Sequence, residues 1–192
     1  AMASTVIDAD GKLVVPGFID PHTHAAIDPL DMAATAHINH LTQGVTTLVV
    51  GSDGRGVVDR ETTFSQLEEQ GLGANIAFFA GHGGIREAVL GYADRAPTGT
   101  ELREMTSLLA AEMRAGALGL STGLYYAPGS YSDTAEVVAL AKAAALAGGI
   151  YDTHLRDEGA NTVGLIAAVE EAVLIARQAD IPVHISHIKA LG

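Results

Sequence analysis

Pro16-Gly17-Phe18-Ile19-Asp20-Pro21-His22-Thr23-His24 closes an apolar run that opens at Leu13. Residues 13–19 read as a buried strand, and side chains alternate across a strand, so His22 and His24 project from the same face. Neutral imidazoles are the commonest metal ligands, and two at this spacing can share one zinc ion. A His-x-His pair on its own is a common pattern. At the end of an apolar strand that opens a strand–helix series it carries much more weight, because barrel active sites lie at the C-terminal ends of strands.

Working outward, short apolar runs recur at residues 46–50, 75–80, 117–121, 149–153 and 182–186. Nearly continuous apolar character at that length suits a parallel sheet covered on both faces. Helical segments with capping and stop signals lie between them. Residues 29–43 stop at Gly44, and residues 60–70 stop at Gly71. Thr98 and Glu101 form a capping box for a helix ending at Gly116, and Asp133 with Glu136 can do the same for one ending at Gly148-Gly149. The last helix, over 162–179, places Leu165, Ala168, Val169, Ala172 and Ile175 on one face. Six strand–helix alternations predict a parallel α/β architecture, either a barrel or a doubly wound sheet.

More candidate ligands fall at the level of His22 and His24. Asp53 follows Leu48-Val49-Val50, His154 ends Ile150-Tyr151-Asp152-Thr153, and His187 ends Val183-His184-Ile185-Ser186. Each alone has an ordinary explanation as a cap, a turn residue or a satisfied hydrogen-bonder. Five such residues at one end of four strands point to a metal centre. The remaining histidines carry less: His37 and His40 read as surface or packing residues and His184 as structural, facing away from the ligands. His82 ends a strand and reads as an outer partner of the site.

Composition narrows the chemistry. The 192 residues carry a formal net charge of -12, which argues against nucleic acid or an anionic membrane as partner, since phosphate binding needs clustered Lys and Arg. There is no cysteine, so disulfides and thiolate zinc sites are excluded and a metal must be held by His, Asp or Glu. No apolar run approaches the ~20 residues that cross a bilayer. Ala1-Met2 reads as a cloning remnant rather than a targeting signal, and a cytoplasmic location is expected.

Several longer segments resemble the amidohydrolase superfamily, and within it the D-aminoacylase (N-acyl-D-amino-acid deacylase) branch. Besides the Pro-Gly-Phe-Ile-Asp-Pro-His-Thr-His strand they are Gln43-Gly44-Val45-Thr46-Thr47, Gly81-His82-Gly83-Gly84-Ile85-Arg86 and Gly116-Ala117-Leu118-Gly119-Leu120-Ser121-Thr122-Gly123-Leu124. Thr153-His154-Leu155-Arg156-Asp157-Glu158 and Ile185-Ser186-His187-Ile188-Lys189 complete the set. The resemblance implies a TIM-barrel-type (β/α)₈ fold over residues 13–192, truncated to about six of eight strands because a closed barrel takes ~250 residues. Residues 1–12, with an Asp10-Gly11 turn, would be the remnant of a small β-domain. The family often places a cysteine ligand in a Gly-Asn-Cys-Gly turn after the second strand. Here the turn is Gly51-Ser52-Asp53-Gly54, and Asp53 takes the cysteine's place. The fourth strand has no lysine to be carbamylated. The resemblance thus implies one or two Zn²⁺ held by His22, His24, Asp53, His154 and His187.

The implied reaction is hydrolysis of a linear amide, a C–N bond other than a peptide bond, most simply deacylation of an N-acyl-D-amino acid. Lys189 would meet the substrate's carboxylate. Arg86 is a second candidate for that contact, with a helix-start surface residue as the other reading. Tyr125 and Tyr126, after the fourth strand, either face substrate or pack their loop. A dipeptidase or cyclic amidase would use the same site. The superfamily's proton-accepting Asp ends strand eight, beyond residue 192, so these residues alone are expected to bind metal poorly and to turn over slowly or not at all.

Two other readings compete. Gly119-Leu120-Ser121-Thr122-Gly123 matches the nucleophile elbow of serine hydrolases, but an elbow needs a helix straight after its turn and Leu-Tyr-Tyr-Ala-Pro-Gly-Ser-Tyr follows instead. A catalytically inactive barrel fragment would offer an open edge and self-associate through it, giving an oligomer.

Overall fold

The computed structural model describes residues 5–25, 35–56 and 60–191. Strands β1 (Phe18–Asp20), β2 (Val45–Val50) and β3 (Asn75–Phe78) form one parallel sheet in that order. Strands β4 (Ala80–Gly81), β5 (Gly119–Gly123), β6 (Ile150–His154) and β7 (Val183–Ile185) form a second, also parallel. Only Phe79 separates β3 from β4. Its N–H donates to Val50 O at 2.9 Å, and Leu118 N donates to Phe78 O at 2.8 Å, so the ladder passes from one sheet into the next. Space order therefore equals chain order throughout. A doubly wound sheet reverses its order at a switch point, whereas this chain winds steadily round in one direction, as a partial (β/α) barrel does.

The helices are α1 (Ile38–Leu41), α2 (Arg60–Gln70), α3 (His82–Leu90), α4 (Gly99–Arg114), α5 (Thr134–Leu146) and α6 (Leu165–Ala179). Helix α4 has the capping box read from sequence: Glu101 N donates to Thr98 Oγ1 at 3.3 Å and Thr98 N to Glu101 Oε2 at 2.7 Å. Helix α5 has only half of one. Glu136 N donates to Asp133 Oδ1 at 2.8 Å, but the Glu136 side chain turns inward to His82 and Arg86 and does not reach back. Helix α6 begins three residues later than the periodicity predicts. Asp157 accepts from the N–H groups of Gly159, Thr162 and Gly164 at 2.9, 2.5 and 3.0 Å, and so holds residues 159–164 in a loop.

The core lies between strands and helices. Leu120, Tyr151, Met105, Leu109, Leu140 and Ile175 are wholly or almost wholly buried, and all of β5 is buried. The first strand is shorter than predicted, pairing only over Phe18–Asp20. Leu13 and Val14 are 91% and 86% exposed and belong to no strand. Asp10 and Gly11 do form a turn, closed by Lys12 N donating to Ala9 O at 2.7 Å, but residues 5–17 pair with no strand among the described residues. Of the predicted helix over 29–43, residues 29–34 lie outside the described residues, and the described part is interrupted at His37, whose φ of 48° breaks the helix before α1. Among the described residues no helix is long and apolar enough to cross a membrane.

Candidate metal centre

The C-terminal ends of β1, β2, β6 and β7 converge on Asp53. Its carboxylate is 8% exposed and sits in the turn after β2, with φ at 58°. Asp is one of the few residues that enter this left-handed region readily. Oδ2 faces the first histidine pair, 3.1 Å from His24 Nε2 and 3.6 Å from His22 Nε2. Oδ1 faces the second pair, 3.4 Å from His187 Nε2 and 3.6 Å from His154 Nδ1. His154 Nδ1 and His187 Nε2 are themselves 3.0 Å apart. All five residues read as ligands from sequence are thus brought together, with one carboxylate oxygen turned to each histidine pair.

These spacings fit metal ligands better than hydrogen bonds. Ligands bonded tetrahedrally at ~2.0–2.1 Å stand about 3.3 Å apart. Asp53 Oδ1 is buried and has no hydrogen-bond partner among the described residues, an omission that usually needs an explanation. A carboxylate ringed by imidazoles is also the donor set expected of a zinc site without cysteine.

The electrostatics agree. Burial opposes ionisation of Asp53, but the neighbouring His154 ring and the charges of His22, His154 and His187 outweigh it and hold the carboxyl well below the usual range. For His22, burial dominates and lowers its pKa against the opposing pull of Asp53 and Asp152. The outcome is an ionised carboxylate beside a neutral imidazole, both in the form that binds metal.

The Asp53 turn is held from β5. Ser121 donates its hydroxyl to Gly51 O at 2.5 Å and accepts from Gly54 N at 3.2 Å. Gly123 lies so close that a Cβ there would meet Asp53 O at 2.1 Å. Ser121 is fully buried, and the chain after β5 runs into a turn and a short 3₁₀ helix, Gly129–Tyr131, rather than an immediate α-helix. Its serine is a strut for the ligand turn, and the nucleophile-elbow reading falls. Replacing Ser121 with Ala strands a buried N–H and a buried carbonyl. We expect about 1–3 kcal/mol of lost stability, read by thermal melting, together with weaker zinc binding.

Lys189 and Tyr125 also reach this centre. Lys189 Nζ pairs with Glu158 Oε1 and lies 3.4 Å from His187 Nδ1. The Tyr125 and Tyr126 rings stack near His154 with centroids at 5.7 and 4.7 Å. Arg86 does not reach it. Its side chain is fully buried, donating to Glu136 Oε2 at 2.5 Å and to the carbonyls of Ala93 and Arg95 at 3.1 and 2.6 Å. The substrate-carboxylate role for Arg86 is therefore withdrawn, and so is the surface reading. His82 belongs to the same buried group, 2.8 Å from Glu136 Oε1, rather than to the metal centre.

Glu158 carries no role in the sequence reading, yet it is 5% exposed and stands 3.6 Å from His154 Nε2 and 3.4 Å from His187 Nδ1. Its position four residues after His154 was the available signal. His184 departs from its predicted orientation. It bonds Asp152 within the barrel, because β7 ends at Ile185 and His187 sits in a left-handed turn with φ at 30°, which upsets the alternation count.

The model of the amidohydrolase family matches residues 5–190. The chain belongs to the amidohydrolase family. It is 34% identical to a D-aminoacylase of Alcaligenes xylosoxydans xylosoxydans over 215 aligned positions, covering 100% of this chain and 43% of that protein. An N-acyl-D-aspartate deacylase of the same organism is 36% identical, covering 97% of this chain and 41% of that protein. Among solved structures, the N-acyl-D-glutamate deacylase of Bordetella bronchiseptica, complexed with zinc and a phosphonate inhibitor, superposes with a TM-score of 0.83 at 33% identity. That likeness covers 92% of this chain and 41% of the other. This amidohydrolase chain thus spans less than half the length of these relatives.

Proposed function

We propose that the whole protein is a zinc-dependent deacylase of N-acyl-D-amino acids. The observation that carries this reading is the Asp53 carboxylate with one oxygen toward His22 and His24 and the other toward His154 and His187. The deacylases of D-amino acids among its relatives support the substrate class.

His22, His24, Asp53, His154 and His187 would hold the metal, as two subsites sharing Asp53. Bound zinc supplies Lewis acidity toward an amide carbonyl and acidifies water near neutral pH. Lys189 stands at the rim with N–H donors beyond the one given to Glu158, and would anchor the free α-carboxylate as a point charge. Tyr125 and Tyr126 flank His154 and would line one side of the substrate's space. The family resemblance gives the proton transfer to the leaving amine to an Asp at the end of strand eight.

The test is hydrolysis of N-acetyl-D-amino acids by the whole protein, beside their L enantiomers, with and without chelator. D-selective, chelator-sensitive release of acetate is expected, and activity indifferent to chelator would refute the metal reading. Lys189→Met should raise KM at least about tenfold with a smaller effect on kcat, as loss of a ground-state contact does.

A further inference from the structure

Asp152 is fully buried on β6, two residues before His154 and therefore on the same face of the strand, one layer deeper in the barrel. Ser186 joins it to the metal centre. Ser186 Oγ donates to Asp152 Oδ1 at 2.9 Å, and His22 Nδ1 lies 3.2 Å from the same Ser186 oxygen. From the other side His184 Nδ1 meets Asp152 Oδ1 at 2.6 Å. A hydroxyl has one proton. With that proton given to the carboxylate, Ser186 has only lone pairs to offer His22, so the His22 ring must present Nδ1 as N–H. Its Nε2 then carries the lone pair, and Nε2 is the atom that faces Asp53 Oδ2 at 3.6 Å.

We propose that Asp152, acting through Ser186, fixes the tautomer and ring orientation of His22 for metal binding. Ser186 and Asp152 are positioning residues, since neither touches the Asp53 carboxylate or the space between the histidine pairs. The arrangement is a carboxylate–histidine support with a hydroxyl inserted between its two members. Direct supports of this kind orient ligating histidines, and losing one typically costs about 10- to 100-fold in metal affinity. Sheet pairing makes the support rigid, because Asp152 is registered against Ser121 on one neighbour and against His184 on the other. Ser121 in turn holds the Asp53 turn. The inner layer beneath the centre therefore fixes His22 and Asp53 from adjacent strands.

The proposal rests on the metal reading for its purpose but not for its test. In metal-free protein, ¹⁵N NMR of the His22 ring reports the tautomer directly. Wild type should show Nδ1–H, and Ser186→Ala should shift the ring toward Nε2–H, while Ser186→Thr, which keeps the hydroxyl, restores the wild-type signal. Zinc affinity of the folded protein, measured against a competing chelator, should fall about 10- to 100-fold in Ser186→Ala. If Ser186→Ala fails to fold, Asp152→Asn serves instead. Its amide can donate to Ser186, free the hydroxyl proton for His22 and shift the tautomer the same way. An Nε2–H ring in wild type, an unmoved tautomer in the variants, or zinc affinity within about twofold of wild type would overturn the proposal. Should wild type bind no zinc, the metal reading fails and the tautomer measurement still decides this one.

Discussion

Asp53→Asn should lower zinc affinity by more than about 100-fold, beyond the range for losing an outer support of a ligand. The substitution is chosen because Asn enters the left-handed region as readily as Asp does, so the φ of 58° at this position is kept. Side-chain volume also changes little. What goes is the negative charge and one of the two equivalent oxygens. Among the described residues Asp53 is the one carboxylate facing both histidine pairs, so neither pair on its own compensates for it. A His24→Ala variant removes a single donor, 55% exposed, and should cost less. Chelator competition on the three proteins gives the order wild type, His24→Ala, Asp53→Asn, and the reverse order of the two variants would contradict the shared-carboxylate geometry.

Glu136→Ala should be the most destabilising single change outside the centre, by about 3–5 kcal/mol, the range for removing one partner of a buried ion pair. Arg86 is wholly buried, and its other contacts are two backbone carbonyls, which cannot neutralise it. His82 would lose its Nε2 partner in the same step. Arg86→Met with Glu136→Leu should cost far less than either single change, because no uncompensated charge is left behind. Thermal melting of the set reads this out. The group also gives stability a pH dependence. Burial raises the Glu136 pKa, but the contacts with His82 and Arg86 outweigh it and bring it below its ordinary value of 4.5. A carboxyl depressed in the folded state contributes its stabilisation above that ordinary value. The contribution is lost as pH falls through the lower folded pKa, so acid should narrow the gap between wild type and Glu136→Gln.

The level of the ligands along their strands was legible in the sequence for a physical reason. Buried parallel strands are largely apolar, so each run marks a strand, and His22, Asp53, His154 and His187 stand at or just past the C-terminal end of such a run. Length of pairing was not legible. Leu13-Val14-Val15 is apolar enough for a strand, yet pairing starts at Phe18, since apolarity records a need for cover and not what supplies it. Arg86 was misread because its partner lies 50 residues away on another helix. An arginine at a helix start looks solvated until the fold brings Glu136 against it. Ser186 and Asp152 escaped notice for the same cause. Their significance lies in a 3.2 Å contact with His22 across 164 residues of chain, which no local pattern encodes.

The most direct test of the whole account is zinc per chain by elemental analysis after equilibration with excess zinc and removal of the free ion. The whole wild-type protein should hold two equivalents, and the His22→Ala, His24→Ala double variant should hold one, retained by His154, His187 and Asp53. A whole wild-type protein without zinc, or a zinc content that the double variant leaves unchanged, would contradict a centre built on Asp53 between two histidine pairs.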